Sequence, residues 1–103
     1  MYTVIFITAS GKKEAHKLAK ALIEKRLAAC VNIIDKVESL FWWQGKVDKA
    51  REALLIVKSK KEKLKLIIKL VKSMHSYSVP EIIALPIAEG YKKYLEWING
   101  SVR

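Results

Sequence analysis

Met74 and His75 are adjacent, and their side chains are candidates to hold a metal. Imidazole suits copper and zinc, and a thioether sulfur is a soft donor that suits Cu(I). Two donors make a weak site, so a third group or a neighbouring chain has to complete it. Against that stands a structural reading, in which a helix-terminal His75 satisfies local carbonyls. Cys30 is the only cysteine, and it reads either as a small buried hydrophobe or as a thiolate ligand. A single cysteine excludes an intrachain disulfide and any CxxC metal knuckle. His16, the only other histidine, flanks a helical apolar stripe and reads as a half-exposed helix residue.

Glu52 and Lys58 form a second candidate set. On a strand they share a face with Leu54 and Ile56 and lie ~20 Å apart. They cannot meet along that strand, but each can meet a group from another subunit, because buried polar groups need partners. The expected role is to complete an inter-subunit cleft, with Lys58 able to hold an anion; the alternative is a structural ion-pair network. There is no nucleophile elbow, P-loop, paired-histidine zinc motif or obvious acid–base dyad, so the expectation is that this is not an enzyme.

The elements that must position these groups centre on residues 29–59. This stretch reads as a long β-hairpin turning at Gln44–Gly45, with arms Cys30–Trp43 and Lys46–Lys58. An arm of about 13 residues spans roughly 43 Å, against about 34 Å for a compact chain of this size. The tip should therefore overhang. Phe41, Trp42 and Trp43 on it are the expected interface anchors, since aromatics dominate such contacts. Val31, Ile33, Val37, Ser39, Phe41 and Trp43 share one alternating face, interrupted at Asp35. A bend or bulge is expected near Ile34–Val37.

Before the hairpin, Tyr2–Thr8 is a near-continuous apolar run, as for a central strand. Ser10–Gly11 can cap a helix over Lys12 to about Arg26, with Ala15, Leu18, Ala19, Leu22 and Ile23 inward. After the hairpin, Ser59-Lys60-Lys61-Glu62 reads as a capping box opening a second helix. Leu64, Ile67, Ile68, Val71 and Met74–His75 are its inward stripe. Lys61, Lys65, Lys69 and Lys72 form a ridge to one side, and Leu66 and Leu70 lie outside the stripe. Val79–Ile87 is a last strand, and its two prolines mean that it lies at an edge or is broken there. A third helix follows from Tyr91 and ends at Asn99–Gly100, leaving a short tail. The order β-α-β-β-α-β plus a helix predicts a single-domain α+β fold over residues 1–103: the ferredoxin-like split β-α-β sandwich, one antiparallel sheet with two helices on one face.

The 103 residues suffice for one domain, and 51% hydrophobic with 29% charged residues places the chain among soluble globular proteins. No apolar run reaches ~20 residues and the N-terminus lacks a signal-peptide pattern, so no membrane partner is expected and the expected compartment is the cytoplasm. Twenty basic residues face ten acidic ones, a formal charge of +10, and seventeen of the twenty are Lys. Base readout and bidentate phosphate capture favour Arg. Lys enrichment also fits a thermophile surface. An RNA-binding β-α-β-β-α-β frame would need aromatics on a central strand, and Ala53-Leu54-Leu55-Ile56-Val57 supplies none. A nucleic-acid partner is therefore not expected, subject to whether the lysines gather into a patch.

Along nearly its whole length the chain resembles the CutA divalent-cation-tolerance family. The matching stretches are Glu24-Lys25-Arg26-Leu27-Ala28-Ala29-Cys30-Val31-Asn32-Ile33 and Phe41-Trp42-Trp43-Gln44-Gly45-Lys46. Glu52 with Lys58 follows, then His75-Ser76-Tyr77-Ser78-Val79-Pro80-Glu81-Ile82-Ile83 and Tyr94-Leu95-Glu96-Trp97. The resemblance implies a tight homotrimer in which long hairpins cross between subunits and extend their neighbours' sheets. It implies a response to metal ions, with copper or another divalent ion as the expected ligand, and it adds Tyr77 and Glu81 to the inter-subunit cleft. Metal binding in some members is attributed to a first-strand cysteine and a His-His pair, and here those positions read Ile7 and Met74–His75. The family's usual His-Pro-Tyr-Glu-x-Pro-Glu segment lacks its first proline and a carboxylate. A small-molecule or anion sensor at the trimer clefts, like the nitrogen-signalling PII proteins, is the alternative function, by fold analogy.

Overall fold

A computed structural model describes all residues, 1–103. The strands are β1 (Tyr2–Ala9), β2 (Cys30–Trp43), β3 (Lys46–Lys60) and β4 (Ile82–Pro86). The helices are α1 (Lys12–Glu24), α2 (Leu64–Met74), entered through a 3-10 turn at Lys61–Lys63, and α3 (Lys92–Ser101). The four strands form one antiparallel sheet in the order β2-β3-β1-β4. The apolar run of β1 is thus internal, and the proline-bracketed β4 is an edge, because proline cannot donate to a ladder.

Alternation decides the core. Thr3, Ile5, Ile7 and Ala9 of β1 are buried, and so are Ala53, Leu55, Val57 and Ser59 of β3, under α1 and α2. Ile5, Ile7, Leu22, Leu55, Ile67 and Val71 are wholly sequestered in one cluster. Each such side chain contributes about 1.5–3 kcal/mol relative to exposure. The opposite face carries Val4, Phe6, Leu54 and Ile56, with Ile34, Ile83 and Leu85 exposed beside them. No helix is long and apolar enough to cross a membrane.

The hairpin turns where expected. Gln44 and Gly45 both have positive φ, 52° and 78°, the signature of a type I′ turn whose twist matches the strands. The molecule measures 44 × 25 × 23 Å, with the hairpin giving the long axis. The expected bulge lies between Ile34 and Val37, where Asp35 and Lys36 of β2 oppose Ala53 alone. Lys36 takes φ 60°, and its amide donates to the Asp35 carboxylate at 2.8 Å. The extra residue reverses parity. Val31 and Ile33 point to the core beside Val57 and Leu55, whereas Val37, Ser39, Phe41 and Trp43 point to the open side with Glu52. The single alternating face expected from the sequence is therefore two half-faces.

Five local expectations are corrected. Ser59 caps no helix: pairing of Tyr2 with Lys60 carries β3 past it, and its buried hydroxyl donates to the Leu27 carbonyl. Ser10 does not cap α1 either; Glu14 reaches back instead and accepts the Ser10 amide at 2.9 Å. Helix α1 stops at Glu24 in a Schellman closure, with Leu27 N–H on the Leu22 carbonyl and Arg26 at φ 59°. The C-terminal residues are no loose tail: α3 runs through Gly100, Val102 is buried, and the Arg103 amide donates to the Arg26 carbonyl. Strand β4 is also shorter than expected, leaving Val79 and Pro80 in the preceding loop.

Candidate functional site

His75 follows the last residue of α2, and its side chain is 0% exposed. Its Nε2 lies 2.7 Å from the Thr8 carbonyl, which can only accept, so Nε2 carries the proton. Nδ1 then accepts the Tyr77 amide at 3.0 Å. Both ring nitrogens are committed. Met74 beside it is 38% exposed.

Glu14 secures the same loop from α1. Its carboxylate accepts the Ser76 amide at 2.8 Å and the Ser76 hydroxyl at 3.0 Å, in addition to the Ser10 amide. Partial burial pushes this carboxyl up, but the hydrogen bonds from Ser10 and Ser76 outweigh burial and hold it at about 2. Glu14 was not visible as a site residue in the sequence; a carboxylate three residues after the helix-capping Gly11 is the signal that could have found it.

The anchored loop delivers Tyr77 to Glu52. The phenol donates to Glu52 Oε2 at 2.8 Å, and Glu52 is 7% exposed. Burial, then the hydrogen bond to Glu52 and its charge, push Tyr77 up to about 12. Glu81 is raised by burial and then by the charge of Glu52. A cavity of about 760 Å³ opens here between the loop and the hairpin. Glu38, Asp48, Glu52 and Glu81 line it, with Phe41 and Trp43 as apolar wall. In a chain of net charge +10, this is an acidic cleft. The bulge's parity change is what turns Phe41 and Trp43 toward it. Trp42 pairs with Val47 on the other side of the hairpin, and both are exposed.

Cys30 and Lys58 lie at the far end of the sheet. They are register partners, with Lys58 Nζ 4.0 Å from Cys30 Sγ. The ammonium also donates to Asn32 Oδ1. Burial, then the charge of and hydrogen bond to Cys30, push the Tyr94 phenol up, which places Tyr94 in the same cluster. Val4, opposite Lys58, is four residues from Thr8 along β1, a run of ~13 Å. The metal candidates Met74, His75 and Cys30 are therefore not brought together. Of the four cleft candidates, Glu52, Tyr77 and Glu81 converge and Lys58 stands apart. No three His, Cys, Asp or Glu side chains of one protomer are grouped closely enough to hold an ion.

These features define a small α+β protein with one antiparallel sheet, an overhanging hairpin and an acidic cleft beneath a histidine-anchored loop. A family model described as CutA1 divalent ion tolerance protein matches residues 3–101. The divalent-cation tolerance protein CutA of Archaeoglobus fulgidus is 48% identical over 102 residues, covering 99% of both chains. Protein CutA 1, chloroplastic, from Oryza sativa subsp. japonica is 46% identical over 100 residues, 97% of this chain, which spans only 56% of that longer relative. The solved structure of the divalent cation tolerance protein from Thermus thermophilus superposes with a TM-score of 0.98 at 45% identity, covering all of both chains. The chain belongs to the CutA1 divalent ion tolerance family.

Proposed function

We propose that this protein binds a divalent metal ion in the cleft between the hairpin and the loop at 75–81, as a homotrimer built on a ferredoxin-like frame. The observation that carries the reading is the Glu52–Glu81 pair. Both line one cavity, where burial and then the charge of Glu52 raise Glu81; a cation relieves that repulsion, and oxygen donors accept divalent ions, Cu(II) included. The relatives' names speak of divalent-cation tolerance and point the same way.

The residues first expected to hold the metal do not fit it. A metal on His75 must displace either the Thr8 carbonyl or the Tyr77 amide, and the Cys30 thiol sits beside an ammonium. The cleft residues fit better but are too few in one protomer. Water or a second copy has to supply the remaining ligands. The exposed apolar sheet face and the exposed Phe41, Trp42 and Trp43 favour a second copy, because apolar surface of this extent calls for cover. An anion at Lys58 is the second reading, favoured by its ammonium on the open face of the sheet.

Calorimetry with Cu(II) and Zn(II), paired with light scattering, tests the proposal. Wild type should bind as an assembly of three 11.8 kDa chains, and Glu52→Gln/Glu81→Gln should bind at least about tenfold more weakly. Trp43→Ala should shift the assembly toward smaller species. A monomer that binds as tightly as an assembly, or a double variant that binds like wild type, contradicts it.

A further inference from the structure

The lysines do gather into a patch, and it lies on the opposite side of the sheet from the cleft. Helices α1 and α2 bury their apolar stripes in one common core and so present their other faces outward together. Over residues 12–24 and 61–74 there are nine lysines, no arginine and three glutamates. Lys13, Lys17 and Lys20 stand at i, i+4 and i+7 on α1, and all are exposed. Lys61, Lys65 and Lys69 repeat at four-residue steps from the 3-10 turn along α2, also exposed. At 1.5 Å per residue, neighbours in each row are about 4.5–6 Å apart along the axis.

These charges are not neutralised within the chain. A thermophile-type surface would lace its lysines into ion-pair networks. Here Glu62 pairs with the Met1 amino group and Glu14 is taken by the Ser10 and Ser76 amides, so neither carboxylate pairs with a lysine. Two of the layer's three glutamates are thereby turned to other partners. What remains is a double row of unpaired ammonium groups.

We infer that this helical layer is a sequence-independent docking surface for the phosphate backbone of nucleic acid. Lysine contacts phosphate as a point charge, and the absence of arginine from both segments removes the forked donor that reads guanine. A membrane surface fits less well. An interfacial helix inserts an apolar face, and α1 and α2 have already committed theirs: Leu18, Leu22, Ile67 and Val71 are buried. The large apolar side chains exposed on the two helices are Ile23, Leu66 and Met74, scattered singly rather than forming an inserting face. The frame's sheet lacks an aromatic platform, which argues against binding there and says nothing against the helices.

Fluorescence anisotropy of a labelled duplex of about 20 base pairs, with the full chain in 50–200 mM KCl, tests the inference. For about five phosphates neutralised, log K should fall against log salt with a slope near −4.5, and the affinity should be the same for unrelated sequences. Lys13→Glu/Lys17→Glu/Lys65→Glu/Lys69→Glu should lose roughly a hundredfold or more in affinity while keeping its thermal transition. Lys92→Glu/Lys93→Glu, off the layer, should bind like wild type. No binding at 50 mM salt overturns the inference, and so does equal binding by the fourfold variant. Adsorption to vesicles containing anionic phospholipid, with no affinity for the duplex, overturns it in favour of a membrane.

Discussion

Glu52 and Lys58 lie on one face of strand β3, and their surroundings treat them in opposite ways. At one end Glu52 is nearly buried, takes a phenol hydrogen bond, and faces a second carboxylate. Its neighbours are held by a loop pinned through both nitrogens of His75 and through Glu14. At the other end Lys58 meets a thiol and an amide on the open sheet face, with Tyr94 of α3 in the same cluster. The first end is anionic and braced; the second is cationic and partly open. The metal ion proposed above belongs, on charge, at the Glu52 end. The histidine, the residue type most often taken for a ligand, serves as the brace.

The sharpest way to break this contrast is to remove the brace. His75→Ala strands the Thr8 carbonyl and Tyr77 amide and leaves a cavity, so it should cost about 4 kcal/mol of stability by denaturant unfolding. A loss under ~1 kcal/mol would mean that the loop is held elsewhere. Acid comes next. Glu14 is depressed from 4.5 to about 2 in the folded state, so its contribution is complete above pH 4.5 and is lost as pH falls toward 2. An unfolding series from pH 5 to 2 should lose on the order of 3 kcal/mol more in wild type than in Glu14→Gln. Tyr77→Phe removes one hydrogen bond to a buried carboxylate and should cost about 1–2 kcal/mol. Lys58→Met is the smallest change. It sits at the unbraced end, so stability should move by no more than ~0.5 kcal/mol and metal affinity at the other end should hold. A large drop in affinity would join the two ends into one site.

Much of the fold was legible because each element carries a local cause. The apolar run of β1, the Gln44–Gly45 turn and the prolines around β4 each act within a few residues. The capping box at Ser59 failed because a ladder to β1 is a long-range competitor that no local motif reports. The bulge was legible, but its consequence was not. Counting from the turn without it pairs Cys30 with Ser59; one extra residue pairs Cys30 with Lys58 instead and turns Phe41 and Trp43 to the cleft. Register is all-or-none in this way. The cleft acids Glu52 and Glu81 were visible in the sequence. The commitment of His75 to Thr8 was not, since its partner lies 67 residues away.

Electron paramagnetic resonance of the Cu(II)-loaded protein tests the assignment of the cleft most directly, because imidazole nitrogen on copper splits the spectrum and carboxylate oxygen does not. With metal at Glu52 and Glu81, the spectrum should show no nitrogen splitting and should be lost in Glu52→Gln/Glu81→Gln. Nitrogen splitting that survives the double carboxylate variant would place the ion on a histidine and contradict the cleft.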